Sequence, residues 1–254
     1  MRATFDQKIA RATELAAPGG EASGLLNFYS ALLRFQKPIF EAFQSKGITD
    51  VRALVPHFSR LIELVNRAGP EPLSRFAAEH LQTAADREGL LLVYWEGNTA
   101  GDGSGTPAEA FFARVLLQPF AESLATRGPI DAQSDSGTCP FCSHKPAVAA
   151  LRGEGDGGKR WLVCSLCSTE WEYRRIICPN CREEQKDNLP VYTAAGLEYV
   201  RVDACDTCRA YLKSVDLTRN GLAVPVVDEL ATVVLNIWAE EHDYTKLESN
   251  LLGM

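Results

Sequence analysis

The chain has 254 residues with a formal net charge of −7, and its hydrophobic content of 46% is enough to bury a substantial core in two or more units. The longest apolar run, residues 89–95, is too short to cross a bilayer, and the first residues lack the pattern of a secretory signal, so we expect a cytoplasmic protein without membrane insertion. The negative charge argues against general nucleic-acid binding.

The first half of the chain is predicted to be helical. Apolar residues recur at three- and four-residue steps over residues 25–43, where Pro38 is expected to kink or split the helix. Gly47 should end this helix, because glycine tolerates the left-handed backbone of a helix C-terminus. Thr49 or Asp50 should then cap the next helix.

Two further helical stretches, residues 58–69 and 72–87, are predicted before a glycine-rich loop at 97–107. Pro107 is expected to open the last helix of this region, because proline suits the first helical position. The polar, glycine-containing stretch 127–138 separates these helices from the first cysteine. We therefore place a domain border there.

All eight cysteines lie in four Cys-x-x-Cys pairs within one window of 70 residues. The pairs are Cys139/Cys142, Cys164/Cys167, Cys178/Cys181 and Cys205/Cys208. Two thiolates at this spacing can share one ion from a tight chain reversal, and a second pair completes a tetrahedral shell of four sulfurs. Gaps of 21 residues between the first two pairs and 23 between the last two allow a strand out and a strand back. The sequence therefore predicts two consecutive ribbon modules with one metal site each.

The strands of the two modules are predicted from local composition. Residues 152–159 are charged and glycine-rich, which is typical of a hairpin tip, and residues 160–163 are expected to return as a strand. Residues 197–202 and 211–215 are the comparable strands of the second module.

A nested arrangement stays open, in which Cys164/Cys167 join Cys178/Cys181 and the outermost pairs meet each other. Residues 168–177 alternate like one continuous strand, which would hold its two ends about 30 Å apart. This spacing favours the consecutive arrangement over the nested one.

The residue after the second cysteine of each pair is predicted to have a positive φ, where glycine is usual. This chain has other residues there, namely Ser143, Ser168, Arg182 and Arg209. Each costs about 1 kcal/mol in that conformation, which ion binding of roughly 10 kcal/mol can offset. Four thiolates accept either zinc or a single iron, so the spacing leaves the metal open.

Several other side chains near the cysteines are candidates for functional groups. His144 is expected to face solvent rather than to replace a sulfur ligand. Trp161, Trp171 and Tyr173 are expected to form the small core of the ribbons, with a docking surface as the alternative. The pair Arg174-Arg175 is expected to be a solvated strand edge, with recognition of an acidic partner as the alternative.

The end of the chain is predicted to be a helix that starts near Asp228 and Glu229, whose charges suit a helix N-terminus. The predicted fold class is α plus small β: a helical domain, two tandem zinc-ribbon modules and a C-terminal helix. The expected divisions are 1–130 for the helical domain, 131–172 and 173–216 for the two modules, and 217–254 for the helix and tail.

The cysteine-rich half resembles the formate dehydrogenase accessory protein FdhE family. The motifs that carry the resemblance are CSLCSTEW at 164–171, CPNC at 178–181, CDTCRAYLK at 205–213 and DELA at 228–231. The resemblance implies two rubredoxin-like modules behind a helical domain, with iron as the metal. It also implies a role in maturing formate dehydrogenases, with their catalytic subunit as the partner in the cytoplasm.

The first functional hypothesis is a non-catalytic assembly factor, since a closed four-sulfur shell has no open position for a substrate. The rivals are a zinc-ribbon adaptor for nucleic acid or the transcription machinery, and a protein that delivers iron or electrons. Residues 139–213 have 11 basic and 10 acidic side chains, and two divalent ions on eight thiolates bring the balance to −3, which disfavours the nucleic-acid adaptor. The number of copies that assemble, including a homo-oligomer, stays open.

Overall fold

The structure is a computed structural model that describes residues 2–17, 20, 22–96, 105–128, 135–154 and 157–254. Most of the loop predicted at 97–107, half of the border at 127–138 and the centre of the hairpin tip at 152–159 lie outside the described residues. None of the helices in these described ranges combines the length and apolar composition needed to span a bilayer.

The N-terminal region is helical, as predicted. It consists of α1 (Phe5–Leu15), α2 (Ser23–Lys46), a 3-10 helix (Val51–His57), α3 (Phe58–Ala68), α4 (Glu71–His80), α5 (Ala84–Glu96) and α6 (Pro107–Ala125). Gly47 ends α2 with a φ of 64°, and the Asp50 side chain accepts a hydrogen bond from the Arg52 amide at the start of the 3-10 helix. Pro107 occupies the first position of α6, behind a capping box between Thr106 and Glu109.

Two helix predictions differ from the structure. Pro38 does not split α2, because buried side chains on both sides of it, including Phe35 and Ile39, hold the helix in the core. The stretch 72–87 is not one helix: α4 ends at His80, and Thr83 and Asp86 exchange backbone and side-chain hydrogen bonds that start α5.

The cysteine-rich region forms one mixed sheet rather than two separate ones. Its strands are β1 (Pro146–Glu154), β2 (Gly157–Cys164), β3 (Glu170–Tyr173), β4 (Val191–Thr193), β5 (Val200–Ala204), β6 (Ala210–Asp216) and β7 (Thr245–Lys246). The order is β3-β2-β1-β6-β5-β4, and β7 also pairs with β6. Each predicted module contributes one antiparallel half, and parallel pairing of β1 with β6 at Ala149–Ser214 and Leu151–Asp216 joins the halves.

The long strand predicted over 168–177 is wrong. Only β3, four residues long, is extended, and a turn at Arg175 and Ile176 follows it. The residues of that turn are exposed, so no sheet neighbour continues the alternating pattern there. The strand predicted at 197–202 likewise begins at Val200 and continues to Ala204.

The C-terminal helix is divided into α7 (Pro225–Ala231) and α8 (Val233–Glu241). The Lys213 ammonium, fully buried under this segment, donates to the carbonyls of Glu229 at 2.5 Å and Thr232 at 3.2 Å. The Thr232 hydroxyl also donates to the Glu229 carbonyl at 3.1 Å, so side chains take up this carbonyl where the helix is interrupted at Thr232.

The two faces of the sheet are covered differently. One face, with Ala149, Leu162 and Trp171, belongs to the same hydrophobic core as helices α2 and α6. The other face packs against α8 through Leu235, and Val148 and Val215 are among its buried residues. The cysteine region is therefore held between the N-terminal helices and the C-terminal pair.

Candidate metal centres

The four Cys-x-x-Cys pairs have the same local geometry. In each, the amide of the first cysteine donates to the carbonyl five residues later, at 2.8–2.9 Å. These hydrogen bonds join Cys139 to His144, Cys164 to Thr169, Cys178 to Glu183 and Cys205 to Ala210. Each reversal brings the two sulfurs of its pair close together, which is the arrangement that a shared ion needs.

The residue after each second cysteine has a positive φ, as predicted. The values are 62° at Ser143, 53° at Ser168, 64° at Arg182 and 59° at Arg209. Backbone amides within the turns also point at sulfur: the Phe141 amide lies 3.4 Å from Cys139 Sγ, and the Asn180 amide lies 3.4 Å from Cys178 Sγ. These amides stabilise negative charge on the sulfurs.

The sulfurs form two groups of four, in the consecutive arrangement and not the nested one. The first centre contains Cys139, Cys142, Cys164 and Cys167, and the second contains Cys178, Cys181, Cys205 and Cys208. Within each group, all four sulfurs lie within 4.8 Å of one another. All eight cysteines are free, and the short S···S distances are 3.4–3.5 Å in the first centre and 3.6–3.7 Å in the second.

These distances fit a tetrahedral ion. A metal with bonds of about 2.3 Å to sulfur places the sulfurs about 3.8 Å apart, whereas a disulfide would need about 2.05 Å. Both groups can therefore hold one ion each, and a four-thiolate shell is suited to zinc or to a single iron. Burial raises the pKa of the Cys164 and Cys178 thiols, so an ion that binds must displace protons from them.

The first centre lies against the N-terminal helices. The Arg2 guanidinium donates to the Ser168 carbonyl at 3.0 Å, and the Gln118 amide group donates to the Ser165 carbonyl at 2.9 Å. The Ser168 hydroxyl donates to Glu122 at 2.6 Å, and Lys8 pairs with the same carboxylate at 2.8 Å. Three of the four cysteines are buried, so this centre is part of the interface between helices and sheet.

The second centre is more open to solvent. Cys181 is exposed and Cys208 is half-buried, while Cys178 and Cys205 are buried. Glu183 links its two turns, because its carboxylate accepts from the Thr207 hydroxyl in the other turn at 2.5 Å and from Asn188 at 3.1 Å. The hydrogen bond from Thr207 is the main cause that lowers the pKa of Glu183 to about 2.

The prediction that His144 faces solvent is wrong. Its ring is half-buried, with Nδ1 3.0 Å from the Cys142 carbonyl oxygen, and burial lowers its pKa. It is not one of the four residues of the first centre.

The aromatic residues behave mostly as core. Trp171 and Tyr173 are buried, and Trp161 is half-buried below the Arg152 guanidinium. Arg174 and Arg175 are exposed, as expected for a solvated edge, and Arg174 pairs with Glu184 at 3.3 Å.

Sequence reasoning missed a set of buried charges around the centres. Asp228 and Glu229 lie near the start of α7, close to the predicted helix N-terminus, and both are buried. Asp228 accepts from the Val224 amide at 2.7 Å, as a capping residue does, and also pairs with Arg11 at 2.6 Å. Glu229 pairs with Lys213 at 2.9 Å. Their partners are distant in sequence, and no local pattern pointed to them.

Comparison with known proteins gives matches along most of the chain. Family models of the FdhE central domain and the FdhE C-terminal domain match residues 138–175 and 164–252. An FdhE homolog of Aquifex aeolicus is 28% identical over 257 residues, covering 92% of this chain and 89% of its own length. An FdhE homolog of Edwardsiella ictaluri is 29% identical over 211 residues, covering 80% and 67%.

The crystal structure of the FdhE protein from Pseudomonas aeruginosa has the same fold, with a TM-score of 0.71 at 21% identity, over 99% of this chain and 97% of that one. The fold of the helical region and the sheet region is thus shared with that structure. The chain is thus similar to FdhE proteins along most of its length, and the FdhE central and C-terminal domain models match it within residues 138–252.

Proposed function

We propose that the chain is a non-catalytic accessory factor for the maturation of formate dehydrogenase and that it binds the immature catalytic subunit in the cytoplasm. The observation that carries the proposal is the presence of two four-cysteine groups in a chain similar to FdhE proteins. The similarity to FdhE proteins is the reason for naming formate dehydrogenase as the client. A shell of four sulfurs has no open coordination position for a substrate, which supports a non-catalytic role.

The eight cysteines are proposed as ligands of two mononuclear ions, iron by the resemblance or zinc by the donor set. When bound, each ion holds the two turns of its centre together. Because a preformed site rarely exists without the ion, metal occupancy orders the surface around each centre. The second centre is the better candidate for this control of recognition, since Cys181 is exposed.

The test is capture of a formate dehydrogenase catalytic subunit by the intact, metal-loaded protein. We expect capture by the wild type and loss of capture when Cys178 and Cys181 are both changed to Ser. Ser143→Gly, which keeps all eight cysteines, is the matched control and should retain capture. Undiminished capture by the double variant would contradict the coupling to metal, and no capture by the wild type would contradict the partner.

Metal analysis with visible spectroscopy of anaerobically purified protein identifies the ion. Two iron atoms per chain would give a red sample with visible absorption, and two zinc atoms a colourless one. A gel-shift assay at low salt tests the nucleic-acid adaptor, for which the charge balance of the cysteine region gives no support.

A further inference from the structure

A partly open cavity lies beside the second centre, with Cys178 and Cys205 in its wall. Its wall includes residues from both antiparallel halves of the sheet, among them Arg160 on β2 and Arg201 on β5. The two metal centres do not require such a cavity, and several buried polar atoms in its wall have no hydrogen-bond partner among the described residues.

Arg160 is the most deeply buried of these groups, with an exposed fraction of 3%. Its Nη1 donates to the carbonyls of Ile177 at 3.3 Å and Arg175 at 3.4 Å. Its Nε is buried without an acceptor among the described residues. A buried donor of a charged group that lacks an acceptor is costly, so a guanidinium in this state indicates a missing partner.

Arg201 and Asp203 extend the same polar surface. They are two residues apart on β5 and so lie on one face of the sheet. The sheet register places that face with Arg160, because Arg201 pairs with Ser214, Ser214 with Ala149, and Arg160 with Leu151. The three charged side chains therefore converge from two halves of the sheet.

Arg201 Nε and Asp203 Oδ1 lie 2.9 Å apart, yet both atoms are buried without a well-aligned hydrogen bond. The other carboxylate oxygen of Asp203 accepts from the Ser214 hydroxyl at 2.5 Å. Asp203 thus offsets part of the positive charge of Arg201 but leaves its Nε–H free for a better acceptor.

The charges and the remaining wall define the chemistry of the missing partner. Three arginines, Arg160, Arg175 and Arg201, face one carboxylate, Asp203. Cysteines of the second centre form part of the wall, and their thiolates offset part of the positive charge of the arginines. No sulfur accepts a hydrogen bond from Arg160 Nε. A guanidinium matches a carboxylate in shape, and apolar side chains of Ile177, Leu189 and Val191 complete the wall.

We propose that this cavity binds an organic carboxylate, with Arg160 and Arg201 donating to the carboxylate group and the apolar wall contacting its carbon chain. Two sources have this chemistry: a free small carboxylic acid, and an acidic side chain or C-terminus of a bound peptide. Ile176 and Val191 are 52% and 50% exposed, so a peptide would also find apolar contacts nearby.

The first measurement is the thermal unfolding midpoint of the full, metal-loaded chain with sodium acetate or sodium glutarate, against sodium chloride at equal ionic strength. A ligand that binds only the folded state raises the midpoint in a saturable way. We expect a saturable rise with the carboxylates that chloride does not give. Equal behaviour of all three salts would overturn the proposal, since water alone would then fill the cavity.

The second measurement is isothermal titration of glutarate and of a short peptide with a central Glu into the wild type and into variants. Arg201→Gln should weaken binding roughly tenfold or more, because it removes a charged donor. Arg174→Gln removes an exposed arginine outside the cavity and should leave the affinity unchanged. Equal affinities of wild type and Arg201→Gln would overturn the assignment even if Arg160→Gln fails to fold.

The same titration distinguishes a free small acid from a peptide as the source of the carboxylate. Peptide binding at least tenfold tighter than glutarate, and lost when the Glu of the peptide is replaced by Gln, identifies a partner segment as the ligand. Equal affinity for the peptide and for glutarate identifies a free small acid. Binding of the Gln peptide as tightly as the Glu peptide, with no binding of glutarate, would contradict a carboxylate site.

Discussion

Four residues in left-handed backbone conformations, one behind each cysteine pair, are a constant feature of both centres. They could be predicted from the sequence because the turn is local: two sulfurs three residues apart determine where the chain must reverse. Serine and arginine at these positions add strain that glycine would not, and Arg209 offsets it with contacts to the Tyr244 ring at 4.0 Å and to the Asp243 carbonyl at 3.2 Å.

Ser143 offers a test of this strain, because it is exposed and has a φ of 62°. Ser143→Gly removes a cost of about 1 kcal/mol from the folded state, less the greater backbone entropy that glycine loses on folding. We expect the free energy of unfolding to rise by a few tenths to about 1 kcal/mol, measured by denaturant unfolding of the metal-loaded protein. Ser143→Ala keeps the positive φ and should give no gain; an equal gain in both variants would show that strain is not the cause.

The buried ion pair of Arg11 and Asp228 is a second feature at residue scale, and it links α1 to α7. Asp228→Asn keeps the shape of the side chain but removes the buried counter-charge of Arg11, which then pairs only with the exposed Glu14 at 2.9 Å. We expect a loss of about 3–5 kcal/mol in the free energy of unfolding, measured by urea denaturation.

The matched control for this pair is Glu88→Gln, which breaks the exposed pair with Arg52 at 2.8 Å. That change should leave the free energy of unfolding nearly unchanged, because water screens both charges. Similar losses in Asp228→Asn and Glu88→Gln would contradict the structural importance of the buried pair.

At the scale of elements, the two centres have the same local turns but different surroundings. The first is fixed by hydrogen bonds from Arg2 and Gln118 in the helical region, while the second has an exposed cysteine and is linked mainly through Glu183. An ion leaves a four-thiolate site through opening of one turn, and opening requires less free energy where the turn is exposed.

We therefore expect a chelator in excess to remove one ion per chain roughly tenfold faster or more than the other. The measurement is release of metal over time, followed with a colorimetric chelator on the fully loaded protein. In the Cys178→Ser and Cys181→Ser double variant the fast phase should be missing and the slow phase unchanged. Loss of the slow phase instead would assign the labile ion to the first centre.

At the scale of the whole molecule, sequence reasoning succeeded where the chemistry is local and failed where contacts are distant. Most of the helices, the cap at Asp50, the helix start at Pro107 and the cysteine grouping follow from residues close in sequence. The pairing of β1 with β6 was not predictable, because alternation identifies a strand but not its neighbour. The same holds for the cavity with Arg160, whose polar groups come from distant strands.

The joining of β1 and β6 has a consequence for folding. Two modules that were merely consecutive would unfold independently, each with its own ion. In this structure the two halves form one sheet, because Ala149 and Leu151 on β1 pair with residues of β6. Each half is therefore part of the other's core. Loss of the second ion should then destabilise the first centre as well.

We expect calorimetry of the metal-loaded chain to show one cooperative transition for the cysteine region. The Cys178→Ser and Cys181→Ser double variant should lower the midpoint of that whole transition by several degrees. A loss of about 1 kcal/mol in stability lowers the unfolding midpoint of a domain of this size by roughly 2–4 °C. The temperature at which the remaining ion is released during heating should fall by the same amount. A first-centre transition that keeps its wild-type midpoint in the double variant would show that the two halves unfold independently despite their shared sheet.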